Sequence, residues 1–591
     1  MITLPVTREL TRPLTRAITD AGAGDLAAAI RALFANGEQG VWYDPSDLSA
    51  MYQDAAGTTP CYQPGQGQVD PPVGLMLDKR LGLSKGPELL TNGEFASDSG
   101  WTKNAGWGIS GGSAVRAPAG ASSTLTQNIP LAAGVAYVVE YTISSITAGS
   151  ITPRLSGGVT VAGNASTAAG TYKEVLVSAA GNTRLELYAN AAANATIDIV
   201  SLRALPGNHA YQSTTTCRPR LSARYNLLTN TDSLSSGWST FNGALALEGA
   251  YWKFTENTSN SLHSFLQTPS QTKAASYRAS FVGKPAGRSI VRFVLNAYSS
   301  NFCEVRFDLA AGTVAGVFTG GDGVVESYSI VPVGDGAYRC TIVGKPSAAA
   351  AGTAFDVSLG MMADGVTATY LGDGVSGILV NNFDCRSSTD GAGLPSYQKV
   401  VDANTYDTAG FPLYLKFDGV DDFLQTASVD FSATNKIFVG AGARKLADTG
   451  TGLVLELSTS AGATNPGSFA LYSSPNAAAQ VGAIAYMTGL GYKYAPISAP
   501  ANYVQSVQFD ASLPAAGQID QRVNESAVVA VSGGDIGAGN FGNYAMYMGR
   551  RGAGGSLFAG YISQVIVCGK RLSAAEINAV EKLINSKVRA Y

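Results

Sequence analysis

A chain of 591 residues is too long to fold around one core and requires roughly three or four domains. Glycine is abundant at 69 residues and only 14% of the chain is charged, yet 45% is apolar, which excludes a disordered low-complexity chain and points to β structure turned on glycine. A net charge of −3 and a pI near 5.6 leave no basic surface for nucleic acid or anionic lipid, so neither partner is expected.

The opening MITLPVTRELTRPLTRAITDAG spreads Arg8, Arg12 and Arg16 along its length and lacks an apolar run, so neither a secretory leader nor a membrane span is expected there. A short helix follows. Asp25 can cap it, Leu26, Ile30, Leu33 and Phe34 form an apolar stripe, and Asn36-Gly37 supplies a stop. Residues 1–39 therefore read either as a helix packed on its own first domain or as an arm that docks into a larger assembly.

From Gly40 the text becomes GVWYDPSDLSAMYQDAAGTTP and reaches PPVGLMLDKRLGL at Pro71–Leu83. A block complete in itself then begins with LLTNGEFASDSGWT at Leu89 and closes on IDIVSLRAL at Ile197–Leu205. PGNHAYQSTTTCRPRLSARYN resumes at Pro206, and a second block opens at Leu227 with LLTNTDSLSSGWST and ends near NNFDCRSS at Asn381–Ser388. The blocks match beyond their openings: STLTQNIPLAAGVAYVVEYTI at Ser123–Ile143 aligns with HSFLQTPSQTKAASYRASFVG at His263–Gly283. Alternation of period two puts Tyr137, Val139 and Tyr141 on one face, and Tyr277, Ala279 and Phe281 likewise. In EVRFDL, Val305, Phe307 and Leu309 oppose Glu304, Arg306 and Asp308, and Tyr338, Cys340 and Ile342 repeat the pattern. Separated by glycine-rich turns, these strands predict an antiparallel sandwich twice over.

The last 200 or so residues are again rich in strands, from FDGVDDFL at Phe417–Leu424 to GYISQVIVCG. One helix closes the chain, with Ser573 and Glu576 as a capping box and Ile577, Val580, Leu583 and Ile584 on one face. The fold class expected is all-β: several antiparallel sandwich (jelly-roll) domains with a short N-terminal and a C-terminal helix. The boundaries read as 1–39, 85–205, 223–393 and 394–591, with 40–84 and 206–222 as connecting segments that could belong to the last sandwich.

Chemistry is thinly supplied. His209 and His263 are the only histidines, too few for the recognisable triads and zinc sites, and GNHA reads as a turn that makes His209 structural. Six scattered cysteines without a CxxC pair read as reduced thiols; Cys303 and Cys340 fall in strands of one module, and a bond between them stays open. Asp421 and Asp422, adjacent on a strand, would face opposite ways and make a poor glycosidase pair. Asp418 and Asp421 could instead stabilise the turn in FDGVDD or give oxygen ligands to Ca²⁺, the one cofactor entertained. No catalytic residue is assigned, and the chain is not expected to be an enzyme.

WYDPSDLSAMYQDAAGTTP, VGLMLDK and GNHA resemble shared segments of tailed-bacteriophage virion proteins. FDGVDDFL and AGYISQVIVCGKRLSAAEINAVEKLI resemble the first and last parts of a laminin-G-like, concanavalin-type jelly roll. The two LLTN…GW blocks resemble carbohydrate-binding modules of the galactose-binding-like class, the second departing from the usual N-G-x-F with N-T-D-S. These resemblances imply a structural protein of the tail, baseplate or fibre, located in the virion and assembled in the host cytoplasm. It would be present in several copies as a homo-oligomer, docked on other virion proteins by residues 1–39, and would adhere weakly to bacterial surface glycans. The alternatives are a polysaccharide depolymerase (hydrolase or lyase) and a capsid or tail decoration protein without ligand. Sugar binding needs an aromatic face with a few polar side chains. Trp101 and Trp238, in the repeated Gly-Trp, are expected to plug the sandwich cores, which leaves Trp107, Tyr188, Tyr251 and Trp252 as the candidate sugar contacts.

Overall fold

The computed structural model describes residues 23–298, 300–349, 352–390, 393–528 and 532–591. The expected docking arm at 1–22 lies outside the described residues. The fold is all-β, with two α-helices at opposite ends of the sequence. No helix among the described residues is long and apolar enough to cross a membrane.

The C-terminal sandwich is assembled from distant parts of the chain. One sheet runs Arg220–Ser222, Tyr414–Asp418, Ala559–Cys568, Lys436–Lys445, Ala501–Asp510, Ile519–Val523 and Ser526–Ala527, and Gly40–Tyr43 also pairs with Ala559–Cys568. The other contains Met51–Tyr52, Leu75–Met76, Ala210–Tyr211 and Leu424–Asp430, then six more strands ending at Ser532–Gly534. Segments 40–84 and 206–222 thus supply strands to both sheets. The strand Ala559–Cys568 is buried on both sides, which explains its near-continuous apolar run: Ile562, Val565 and Val567 enter the inter-sheet core, while Ile566 and Cys568 meet the helices.

Helix α1 (Ala23–Ala32) begins before Asp25, so Asp25 sits in its first turn rather than at its cap. Ile30, Leu33 and Phe34 pack with Ile577, Val580 and Ile584 of α2 (Ala574–Val588), so the apolar stripe is covered within the chain by the last domain. The capping box of α2 is formed: Glu576 N–H donates to Ser573 Oγ, and Ser573 N–H donates to Glu576 Oε2.

The first sandwich is inserted between residues 78 and 208, and a buried carboxylate ties its two ends together. Asp78 accepts hydrogen bonds from Trp42 N, Arg80 N and Asn208 N at 2.9 to 3.0 Å and pairs with Arg80 Nε. Asp78 N–H donates to His209 Nδ1 at 2.9 Å, and His209 Nε2–H donates to Leu205 O at 3.0 Å. Both imidazole nitrogens are therefore engaged in the neutral form, and burial pushes the His209 pKa down. This sandwich also rests sideways on the connecting segments, with Ala136, Val138, Val175 and Leu205 against Ala50, Leu75 and Leu77. That contact explains why Val138, on the face opposite Tyr137 and Val139, is buried as well.

The two inserted sandwiches share one strand order. The first has sheets 161–162, 151–156, 184–189, 123–128, 102–103 and 170–177, 136–148, 194–205, 113–116, 107–110. In the second, 302–308, 290–296, 356–362, 264–267, 239–241 and 337–345, 277–286, 377–387, 251–256, 243–248 take the same places. The second adds two consecutive strands, Thr313–Gly320 and Val324–Gly334, which extend each sheet by one at the same edge.

The repeated LLTN…GW phrase forms the same clamp in both. Gln127 Oε1 accepts from Thr91 N and Gln127 Nε2 donates to Thr91 O, both at 2.8 Å. Gln267 does the same to Thr229, at 2.7 and 2.9 Å. Asn92 and Asn230 turn the chain at positive φ, and their carbonyls accept from Trp101 Nε1 and Trp238 Nε1 at 3.0 and 3.2 Å. Asparagine tolerates this left-handed geometry better than most residues, and the tryptophan closes one end of each core.

Candidate functional site

The outward face of one sheet of the second sandwich holds a cleft of about 370 Å³, lined by Phe241, Asn242, Ser264, Arg292, Asn296, Phe302 and Ser358 among others. Alternation puts these side chains there. Val291, Phe293 and Leu295 face the core, so Arg292, Val294 and Asn296 face out; Val357 and Leu359 face the core, so Ser358 faces out. Arg292 stands opposite Gly360, whose partner on the next strand is Ser264. A Cβ at Gly360 would come within 3.1 Å of Arg292 Cγ, so the glycine makes room for the arginine stem along the floor.

The floor is held by ions. Glu304 accepts from Arg292 Nε and Nη2 on one oxygen and from Arg306 Nε at 2.7 Å on the other, with the carboxylate almost fully buried. Arg306 is anchored by Nη1 to the carbonyls of Gly365 and Val366 and lies 3.9 Å over the Phe318 ring. Phe318 belongs to the added strand Thr313–Gly320 and is paired with Glu304, so this strand adds an aromatic residue to the same face. Phe241 is 48% exposed and Phe318 42%, a large apolar display for positions on a sheet surface.

The same place in the first sandwich is filled. Leu125 and Phe265, each two residues before the clamp glutamine, pair with Leu187 and Leu359 respectively. The residue after Leu187 is Tyr188, where the second sandwich has Gly360. Arg154 lies over the Tyr188 ring with its guanidinium carbon 3.4 Å from the centroid. One face of the expected sugar contact Tyr188 is therefore occupied by the chain's own cation.

The other expected contacts lie elsewhere. Trp107 is 8% exposed and packed in the first core with Ile109 and Ala114. Little of the ring expected as a ligand platform is therefore exposed. Its strand alternates buried and exposed from Trp107 to Ser110, which places the ring inward. Tyr251 and Trp252 belong to the opposite sheet of the second sandwich, away from the cleft. Tyr251 is half-buried with Lys284 Nζ 4.5 Å over its ring; Trp252 packs partly on the second core and donates from Nε1 to Asp232 O at 3.3 Å.

Among solved structures, the chain is similar to the CBM40 module of the Ruminococcus gnavus IT-sialidase at 15% identity, over 28% of this chain and 97% of that one, with a TM-score of 0.20. It is similar to the tandem CBM22-1-CBM22-2 domain of Paenibacillus barcinonensis Xyn10C at 10% identity, over 52% and 99%, with a TM-score of 0.20. It is also similar to the LG1-3 region of the laminin alpha2 chain at 8% identity, over 76% and 96%, with a TM-score of 0.18. No protein-family model and no curated protein matches the chain. These neighbours are carbohydrate-binding modules and a laminin G region; likeness at this level says nothing of what the cleft holds.

In the C-terminal sandwich, carboxylate oxygens of Asp418, Asp421 and Asp422 lie within 4.8 Å of one another. Asp418 Oδ1 caps the turn by accepting from Val420 N at 2.7 Å and Asp421 N at 3.2 Å, and Asp422 Oδ2 accepts from Asp418 N at 3.1 Å. Burial and the neighbouring Asp418 and Asp421 push the Asp422 carboxyl up to about 6. Each residue keeps one oxygen for a cation, fewer together than the six to eight that Ca²⁺ takes, so water would complete the shell. All six cysteines are free thiols, and burial pushes Cys303 up to about 12.

Proposed function

We propose that the protein is a glycan-binding multi-sandwich protein and that the cleft of the second sandwich is its working site. The observation that supports this is the combination of aromatic walls, the exposed Phe241 and the half-buried Phe302, with the polar floor of Ser264, Arg292, Asn296 and Ser358. An aromatic ring covers the C–H face of a pyranose while fixed polar groups take its hydroxyls. A cleft this shallow gives weak single-site affinity, which becomes useful when many copies share one particle.

The phrase-level resemblance of 40–84 and 206–222 to phage virion segments supports placing the chain on a tail or fibre and taking bacterial surface glycans as the partner. Glu304 beneath the cleft has both oxygens held by arginines, which leaves neither free for a ligand and supports adhesion without hydrolysis. The test is retention of the full chain on immobilised lipopolysaccharide and capsular glycans, with Phe241→Ala as the variant and a reducing-end assay alongside. Phe241→Ala is expected to lose retention about tenfold with its melting curve unchanged. Retention equal to the parent on every glycan, or release of reducing ends, would refute the reading.

A further inference from the structure

The chemistry of the cleft narrows its ligand further, resting on the reading that it holds a glycan. No residue lining it among the described residues is acidic. Arg292 and Arg306 both pair with Glu304, and Asp356, opposite Asn296 on the same face, is held by Thr268 Oγ1 and Tyr298 Oη outside the cleft lining. Arg292 gives Nε and Nη2 to Glu304, while its Nη1 has no hydrogen bond among the described residues. Asn296 uses its Oδ1 to accept from Tyr298 N at 3.1 Å, so the amide presents its Nδ2 donors. The hydroxyls of Ser264 and Ser358 flank Gly360 and the arginine stem.

A neutral sugar is ringed by hydroxyls that donate as well as accept, and its recognition needs acceptors, commonly carboxylates. A floor rich in donors, with Arg292 as its one charged lining residue, favours a ligand that brings acceptor oxygens and negative charge. We infer that the cleft takes a carboxylated sugar unit, a uronate or a nonulosonate, whose carboxylate meets Arg292 with the serine hydroxyls beside it. The arginine is prepared for this: Glu304 fixes its plane through Nε and Nη2, and a fixed guanidinium loses little freedom on pairing with a carboxylate. Arg292 is then the residue that sets specificity for acidic over neutral glycans.

The test compares the same glycans with and without the charge: oligogalacturonate and sialyllactose, each against its methyl ester, binding the full chain. The parent is expected to bind at least one acid form about tenfold more tightly than its ester. Arg292→Gln and Ser358→Asp should each weaken acid binding by about tenfold more than they weaken ester binding. Ser358→Asp keeps the test sound if Arg292→Gln disturbs the fold by uncovering Glu304. Equal binding of acid and ester overturns the carboxylate inference and leaves the glycan reading standing. Loss of both forms alike in a folded Arg292→Gln would likewise overturn it. Absence of binding to any acid, ester or neutral oligosaccharide overturns the cleft reading itself.

Discussion

In the first sandwich, Tyr188 follows the core residue Leu187 and carries Arg154 on its ring; in the second, Gly360 follows Leu359 and Arg292 lies along an open floor. Around that difference almost everything else repeats: strand order, the glutamine clamp, the turning asparagine and the tryptophan that closes the core. The second also gains the strands Thr313–Gly320 and Val324–Gly334, the first of which brings Phe318 to the cleft face. Inward positions and the clamp are shared because they bear the fold. Outward positions on one sheet differ because they are free to acquire or lose a ligand.

The largest expected effect tests the shared half of this comparison. Trp101→Ala removes a nearly buried ring and should destabilise the first sandwich by about 3–5 kcal/mol, while Trp238→Ala, whose ring is half-buried, should cost the second less. Calorimetry that follows the separate transitions checks both, and equal losses would mean that ring burial does not set the cost.

Next comes the exchange at the differing position. Gly360→Tyr, which gives the second sandwich the first one's side chain, should push Arg292 off the floor and lower glycan retention by about tenfold or more. Unchanged retention would move the binding site elsewhere. Gln267→Ala would leave Thr229 N and O without the clamp and should cost about 1–3 kcal/mol, with Gln127→Ala doing the same in the first sandwich.

Acid should separate the two sandwiches by sign. Burial raises the Glu174 pKa in the first, and the hydrogen bond from Asn164 N only partly offsets it. In the second, burial of Glu256 is outweighed by Arg288, the Tyr370 hydroxyl and Asp373 N, and the pKa falls below 4.5. A depressed carboxyl binds fewer protons folded than unfolded, so the Glu256 contribution is present above its ordinary pKa and is lost as pH falls through the folded value. Glu174 works the other way, and the folded state gains as it protonates. Acid titration of the two melting transitions should show the second falling faster, and Glu256→Gln should remove much of that slope. The smallest effect belongs to the added strand Val324–Gly334, where Val331→Lys at a site 52% exposed should change stability by no more than about 0.5 kcal/mol.

Much of the fold was legible in single strands. The alternation in EVRFDL separates Val305 and Phe307 from Glu304 and Arg306, and the structure sends the first pair to the core and the second to the cleft floor. Trp107 follows the same rule, since WGIS puts Trp107 and Ile109 on one side and that side is the core. The cleft itself was not legible. Phe241, Ser264, Arg292, Phe302 and Ser358 come from five strands, and no short stretch contains two of them at a telling spacing.

What the sequence determined alone is what travels along one strand or one turn: which residues face inward, where a block begins, and how α2 is capped. These depend on the pleat, on left-handed asparagine turns and on local hydrogen bonds, all of which act over a few residues. Tertiary structure decided what depends on lateral pairing. It joined Gly40–Tyr43 to Ala559–Cys568 across more than 500 residues, and it laid Arg292 beside Gly360 and Glu304. Strand order is set by burial of whole sheets, so a glycine on one strand can open a site for an arginine on the next without leaving any mark in the chain between them.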